Sequence, residues 1–166
     1  MNSKDKALIK KIIREELTRA IEIVGTKVVK LIKKNIRSGA YNFEPLSTLS
    51  STGKKTDSYA YRKKRDVGFT KPILVRSKAM LNSLNYKVKR LKGEYFLEIF
   101  SLTPKGGKES LIEIHAKGNP KNNLPSRDAI GLKSTIPGIK NLLLKEQEKA
   151  SRKIGIRFKK EGFEIK

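Results

Sequence analysis

The chain holds few residues that could carry out catalysis. His115 is its single histidine and it has no cysteine, which rules out paired-histidine metal sites, cysteine-ligated zinc and disulfides. A Ser–His–acid triad would need His115 and a serine that no nucleophile-elbow motif positions. We therefore expect His115 to be structural.

The sequence Gly106-Gly107-Lys108 is similar to part of a phosphate-binding loop but lacks the rest of it. Leu102 stands where the first glycine of that motif belongs, and Glu109 follows the lysine where Ser or Thr would hold the metal. The 16 acidic residues are scattered, whereas a metal-dependent nuclease clusters carboxylates around its cations. The sequence predicts no catalytic, cofactor-binding or metal-binding residues, and a small nuclease is the enzymatic alternative.

Charge is the strongest compositional signal. In 166 residues, 39 Lys and Arg stand against 16 Asp and Glu, for a net charge of +23. Such an excess favours a chain that lies beside a polyanion over an ordinary metabolic enzyme, and a merely solvated surface is the alternative. The hydrophobic share of 37% supports one modest core.

The basic residues concentrate in one segment. Residues 53–93 hold 13 basic and 2 acidic residues, a net charge of +11. No helix–turn–helix, zinc-finger, RNA-recognition or KH signature accompanies them, so we expect non-specific contact with double-stranded DNA. The candidates to face DNA are Lys54, Lys55, Arg62, Lys63, Lys64 and Arg65.

Three aromatic residues, Tyr59, Tyr61 and Phe69, are interleaved with this charge. Such rings can stack on nucleotide bases, or they can attach the segment to the body of the protein. Both interpretations stay open from the sequence.

The elements that must position these residues point to the α+β class. Apolar residues spaced three and four apart predict a long helix over 4–37, with Ser3 as its N-cap and Ser38-Gly39 as its end. A basic extended loop is expected over 39–72. Alternating residues predict strands at 84–88, 95–100 and 111–115 within a sheet region over 73–134.

The C-terminal part is expected to form a helix over 135–152, followed by a tail over 153–166 that adds an edge strand or extends away. The prediction is a single domain, 1–166, with an antiparallel meander of three to four strands between two helices. No signal peptide and no membrane span are expected.

Four segments occur in an informative order: 43–47 (Phe-Glu-Pro-Leu-Ser), 73–84 (Ile-Leu-Val-Arg-Ser-Lys-Ala-Met-Leu-Asn-Ser-Leu), 112–118 (Ile-Glu-Ile-His-Ala-Lys-Gly) and 124–132 (Leu-Pro-Ser-Arg-Asp-Ala-Ile-Gly-Leu). They resemble the W-x-P-L-S, I-L-x-x-T-G-x-L-x-x-S-I, Y-A-x-I-H-Q-x-G and I-P-A-R-P-F-L-G segments of tailed-phage virion morphogenesis proteins, also called tail completion proteins. We name the four segments motif blocks 1 to 4. The chain departs from these patterns at Phe43, Lys78, Ala116 and Asp128-Ala129.

The resemblance implies a structural virion protein, made in the host cytoplasm, that forms a ring at the head–tail junction as a neck or tail-terminator protein. It implies a homo-oligomer, with six copies as the expected number, that contacts neck or connector and tail-tube proteins and surrounds a DNA channel, without a membrane. The alternative is a non-specific nucleic-acid-binding protein, such as a ribosomal or DNA-packaging accessory component.

Six residues of the blocks are expected to have structural or interface roles. Gly118 suits a turn with positive φ, and Pro125 fixes φ ahead of Arg127. Arg127 is a candidate for a bidentate bond across a subunit interface. The full set is Pro45, Leu81, His115, Gly118, Pro125 and Arg127.

Overall fold

The computed structural model describes residues 2–43, 53–54, 56, 58–68, 78–102, 110–118, 125–131 and 135–163. These residues form an α+β arrangement with a long N-terminal helix, a two-stranded antiparallel hairpin and a C-terminal helix. In chain order the elements are α1 (Ser3–Ser38), α2 (Tyr59–Val67), α3 (Lys78–Ser83), β1 (Leu84–Leu91), β2 (Glu94–Ser101), α4 (Leu111–Lys117) and α5 (Ile139–Lys160).

Helix α1 confirms the long amphipathic helix, with one correction at its start. The side-chain oxygen of Asn2 accepts from the Asp5 N–H at 2.8 Å, and the Asp5 carboxylate accepts from the Asn2 N–H at 3.2 Å. Asn2 therefore caps the helix, and Ser3, predicted as the cap, is its first helical residue. The helix ends at Ser38, as its sequence predicted.

The hairpin confirms two of the predicted strands. Lys92 and Gly93 join them with φ values of 50° and 90°, the two positive angles of a type I′ turn, whose twist matches that of the flanking strands. Glycine adopts such an angle without the steric cost that a side chain adds.

The third predicted strand is wrong, because residues 111–117 form helix α4. The Ser110 hydroxyl accepts from the Glu113 N–H at 3.3 Å, and the Glu113 carboxylate accepts from the Ser110 N–H at 3.1 Å. This capping box starts a helix and outweighs five residues of alternating hydrophobicity.

Of the two arrangements expected for the tail, the edge strand is wrong over residues 154–160, since α5 continues to Lys160 through Ile154, Ile156 and Phe158. The described residues therefore contain a two-stranded sheet and not a meander of three to four strands. Part of the predicted basic loop is helical as well, because α2 lies within it.

The chain forms two compact units. Unit 1 comprises Met1–Val28, Lys87–Glu98 and Gly138–Lys166, and unit 2 comprises Val29–Tyr86 and Ile99–Pro137. Ion pairs connect α1 and α5 within unit 1: Lys27 contacts Glu146 at 2.7 Å, and Arg157 contacts Glu15 at 2.9 Å and Glu16 at 3.0 Å. As residue numbers rise along α1 they fall along α5, so the two helices are antiparallel.

The core of unit 2 draws on several elements. Ile32 and Ile36 of α1 are buried, as are Leu81 of α3 and Ile112 and Ala116 of α4. None of the described helices has the length and apolar character needed to span a bilayer.

Candidate nucleic-acid interface

Helix α2 is short but both of its ends are satisfied. The Ser58 hydroxyl accepts from the Tyr61 N–H at 3.2 Å, and the Gly68 N–H donates to the Lys64 carbonyl at 2.8 Å. Such caps satisfy backbone groups that a helix end otherwise leaves without partners. They position a nine-residue helix that contains the basic run 62–65.

The exposed side of α2 is a basic face. A helix turns by about 100° per residue, so Tyr61, Arg62, Lys64 and Arg65 lie on one side, with Arg65 near its middle. All four side chains are exposed, and Tyr61 is 48% exposed. We call these four residues the α2 basic face.

This face has the chemistry of a phosphate-contacting surface. Arg62, Lys64 and Arg65 supply three positive charges, and Arg65 contacts the Asp66 carboxylate at 3.0 Å. Arginine and lysine on a surface bind backbone phosphates without regard to base sequence. The exposed Tyr61 ring can stack on an unpaired base.

Lys63 lies on the opposite side of α2 and is fully buried, with 0% exposure. Burial, followed by repulsion from the Arg127 guanidinium, lowers the pKa of Lys63 to about 8. The prediction that Lys63 faces DNA is therefore wrong in this structure, because its side chain is enclosed in unit 2. Lys54 is exposed, and Lys55 and Phe69 lie outside the described residues.

Two further basic residues adjoin Lys63, and we call Lys63, His115 and Arg127 the internal basic cluster. Arg127 is 1% exposed, and its backbone N–H donates to the His115 carbonyl at 2.7 Å. Burial, and then the charges of Arg127 and Lys63, lower the pKa of His115 to about 4. The imidazole is thus neutral at pH 7.

The predicted bond from Arg127 across a subunit interface is not available in this structure, because the Arg127 side chain lies inside unit 2. The other block residues also have internal roles. Leu81 is 2% exposed, and Gly118 ends α4 with a φ of 71°, the positive angle expected for it. Pro125 is partly buried, and Pro45 lies outside the described residues.

Hydrogen bonds connect motif blocks 3 and 4 to each other and to the segment before block 1. The Ser126 hydroxyl of block 4 donates to the Ala116 carbonyl of block 3. The Tyr41 hydroxyl donates to the Ala129 carbonyl at 2.9 Å, and the Tyr41 ring stacks on Phe43 with centroids 4.9 Å apart. Burial raises the pKa of Tyr41 to about 12. Buried residues of blocks 2, 3 and 4 therefore contribute to the interior of unit 2.

Sequence reasoning missed the helical state of α2. Its apolar residues are too few for a visible helical period, but Ser58 before it and Gly68 after it are typical cap residues. Within the described part of the chain, no group of three or more His, Asp or Glu side chains is placed to hold a metal ion.

Comparison with known proteins finds no matching family model, no matching curated protein and no matching solved structure.

Proposed function

We propose that this protein is a non-enzymatic structural component of a tailed-phage head–tail junction, where copies of it form a ring around the DNA channel. The observation that carries the proposal is the presence of four motif blocks in the order typical of tail completion proteins. The net charge of +23 and the α2 basic face support a role beside DNA.

In this function the α2 basic face contacts the phosphate backbone of double-stranded DNA. Each phosphate that a Lys or Arg neutralises releases condensed counterions, which favours contact without selecting a base sequence. A symmetric ring multiplies this field, since six copies of a +23 chain carry +138. DNA moving through a channel needs contacts of this kind, because sequence-specific bonds would hold it in place.

The ring has two kinds of protein neighbour in this proposal. Neck or connector proteins lie on the side of the head, and tail-tube proteins lie on the side of the tail. The function is tail termination or completion, which closes the tube and joins it to the DNA-filled head.

A second candidate function is non-specific nucleic-acid binding by a monomer, as in a ribosomal or DNA-packaging accessory protein. The net charge of +11 over residues 53–93 favours it, because a single chain with such a segment can bind a polyanion without assembling.

Native mass spectrometry and sedimentation of the full chain, over a range of protein and salt concentrations, distinguish the two functions. We expect a closed ring that persists at moderate salt, with six copies as the main species. A chain that stays monomeric at every concentration and binds duplex DNA tightly would overturn the ring and favour the second candidate.

A further inference from the structure

The two strands of the hairpin carry opposite charges. β1 contains Lys87, Lys89 and Arg90 and no acidic residue, whereas β2 contains Glu94 and Glu98 and no basic residue. The hairpin therefore has one basic strand and one acidic strand, side by side.

One face of the hairpin packs within unit 1. The Tyr95 hydroxyl lies 2.8 Å from the Thr18 hydroxyl of α1, and the Arg90 guanidinium lies 5.5 Å from the centre of the Tyr95 ring. Because side chains alternate between the faces of a strand, this contact fixes which residues face outward.

The other face is exposed and combines charge with apolar surface. Leu91 is 64% exposed and Phe96 is 46% exposed. Around them lie the exposed side chains of Lys87, Lys89, Glu94 and Glu98. We call these six residues the outer hairpin face.

Each strand also has an outer edge, since the sheet formed by the described residues has two strands. The backbone N–H and C=O groups along such an edge can pair with a further strand. Within the hairpin, Lys89 already forms an ion pair with Glu98 across the two strands. The side chains of this face are thus long enough to pair across neighbouring strands.

We propose that a second copy of this chain binds at this edge, with β2 of one copy antiparallel to β1 of the next. Glu94 and Glu98 of one copy then lie beside Lys87 and Lys89 of its neighbour. Opposite charges on adjacent strands stabilise pairing, and like charges oppose it. Pairing β1 with β1, or β2 with β2, would place like charges together, so the charges select the head-to-tail arrangement.

A head-to-tail contact uses two different surfaces of each copy and closes into a ring when the rotation between copies permits. The inference rests on the proposed ring and names the contact that forms it. In the ring the hairpins join into one continuous sheet, and Leu91 and Phe96 become neighbours of the next copy's strands.

Charge reversal tests the contact, using two variants of the full chain. The β1 variant carries Lys87→Glu and Lys89→Glu, and the β2 variant carries Glu94→Lys and Glu98→Lys. Each variant alone places like charges at the contact, and also within its own hairpin because it breaks the Lys89–Glu98 ion pair, so we expect the dissociation constant for assembly to rise more than about 100-fold. An equimolar mixture restores assembly, since each variant then meets an oppositely charged partner strand. A chain with all four reversals also assembles.

Matched controls separate the contact from net charge. Lys140→Glu with Lys145→Glu on α5 repeats the charge change of the β1 variant at exposed positions outside the hairpin. Glu22→Lys with Glu148→Lys does the same for the β2 variant. We expect both control proteins to assemble as the wild type does.

The outcomes distinguish the contact from the ring itself. A wild-type chain that forms a ring, together with reversal variants that also form it, would overturn the hairpin contact and leave the ring intact. A wild-type chain that is monomeric throughout overturns both. The fourfold variant keeps opposite charges both within the hairpin and at the contact, so its failure to assemble, with circular dichroism showing a folded chain, would overturn the contact.

Discussion

Arg62 and Lys63 are neighbours in the chain, yet their side chains lie in opposite environments. Arg62 is exposed on the α2 basic face, and Lys63 is fully buried beside Arg127. Burial removes the hydration of a cation and so raises the free energy of its charged form, and a second cation nearby raises it further by repulsion. At the scale of single residues, the chain therefore uses Arg62 for external contact and keeps Lys63 inside.

The neutral state of His115 predicts a loss of stability in mild acid. Its pKa is about 4 when folded and 6.5 ordinarily, so below pH 6.5 the unfolded chain binds a proton that the folded chain does not. The free energy of unfolding is then highest above pH 6.5, and it falls as the pH drops towards 4. Between pH 6.5 and about pH 5 we expect a loss of up to about 2 kcal/mol.

Urea unfolding of the wild type and His115→Gln at several pH values measures this effect. The variant should lose less stability than the wild type over that interval, while Lys117→Gln on the same helix should behave as the wild type. If the free energy of unfolding depended on pH equally in the wild type and in His115→Gln, the result would contradict a buried neutral imidazole.

Lys63 predicts a pH dependence of the same sign in alkali. Its pKa is about 8 when folded and 10.5 ordinarily, so between these values the unfolded chain holds a proton that the folded chain has released. Stability should rise with pH across this interval. The rise should vanish in Lys63→Met and persist in Lys64→Met, its exposed neighbour, when thermal unfolding is followed at pH 8 and about pH 10.

At the scale of elements, ion pairs in unit 1 connect α1 and α5, two antiparallel helices that are distant in sequence. Glu146 is buried, and it accepts from Lys27 at 2.7 Å and from Lys149 at 3.1 Å. The bond from Lys27 is the main reason that the pKa of Glu146 lies below its ordinary value of 4.5.

Glu146→Gln should therefore lower the melting temperature at pH 7, because Lys27 and Lys149 lose their charged acceptor. The stability that the ionised carboxylate supplies is present above pH 4.5 and is lost as the pH falls through its lowered pKa. The difference between wild type and variant should shrink in acid. Glu148→Gln, an exposed neighbour on α5, should leave the melting temperature unchanged, and an equal drop in both variants would contradict the role of Glu146.

The α2 basic face predicts a measurable share of DNA binding. Replacing Arg62, Lys64 and Arg65 together with Gln removes up to three phosphate contacts. The slope of log affinity against log salt should become less steep by up to about 2.7, as measured by fluorescence anisotropy with a labelled duplex.

The matched control for that triple variant replaces three exposed cations of α5, Lys140, Lys145 and Arg152, with Gln. Its slope of log affinity against log salt should stay steeper than the slope of the α2 variant. Identical slopes would assign the binding to overall charge and not to this face.

At the scale of the whole molecule, the sequence combines a net charge of +23 with no recognisable base-reading motif, so the DNA contact that we propose is non-specific. A protein that recognises specific bases loses about 1–3 kcal/mol of binding free energy for each mismatched base pair. Phosphate contacts, in contrast, are the same on every sequence. Affinities for A·T-rich and G·C-rich duplexes of equal length should thus agree within about threefold at the same salt concentration. A competition titration with the two duplexes measures this, and a tenfold preference would contradict non-specific contact.

Local sequence determined the elements whose signals are long or strong. Apolar residues recurring every three to four positions over ten turns were enough to predict α1, and alternation around Lys92-Gly93 was enough to predict the hairpin. Short segments were less well determined. Residues 111–115 alternate as a strand does, but the capping box of Ser110 and Glu113 makes them helical. The end of α5 was left open between an edge strand and an extension away for the same reason, since a few alternating residues fit either a strand or a helix.

Only the tertiary structure decided which basic residues contact solvent. The run from Arg62 to Arg65 is uniformly basic in sequence, and nothing local distinguishes Lys63 from its neighbours. Its burial depends on chain segments about fifty and sixty residues away, where His115 and Arg127 lie. The sequence by itself determined the net charge, the lack of cysteine and the long helix, because these depend on composition or on nearby residues. The division of basic residues between the α2 basic face and the internal basic cluster depends on contacts between distant segments, which only folding brings together.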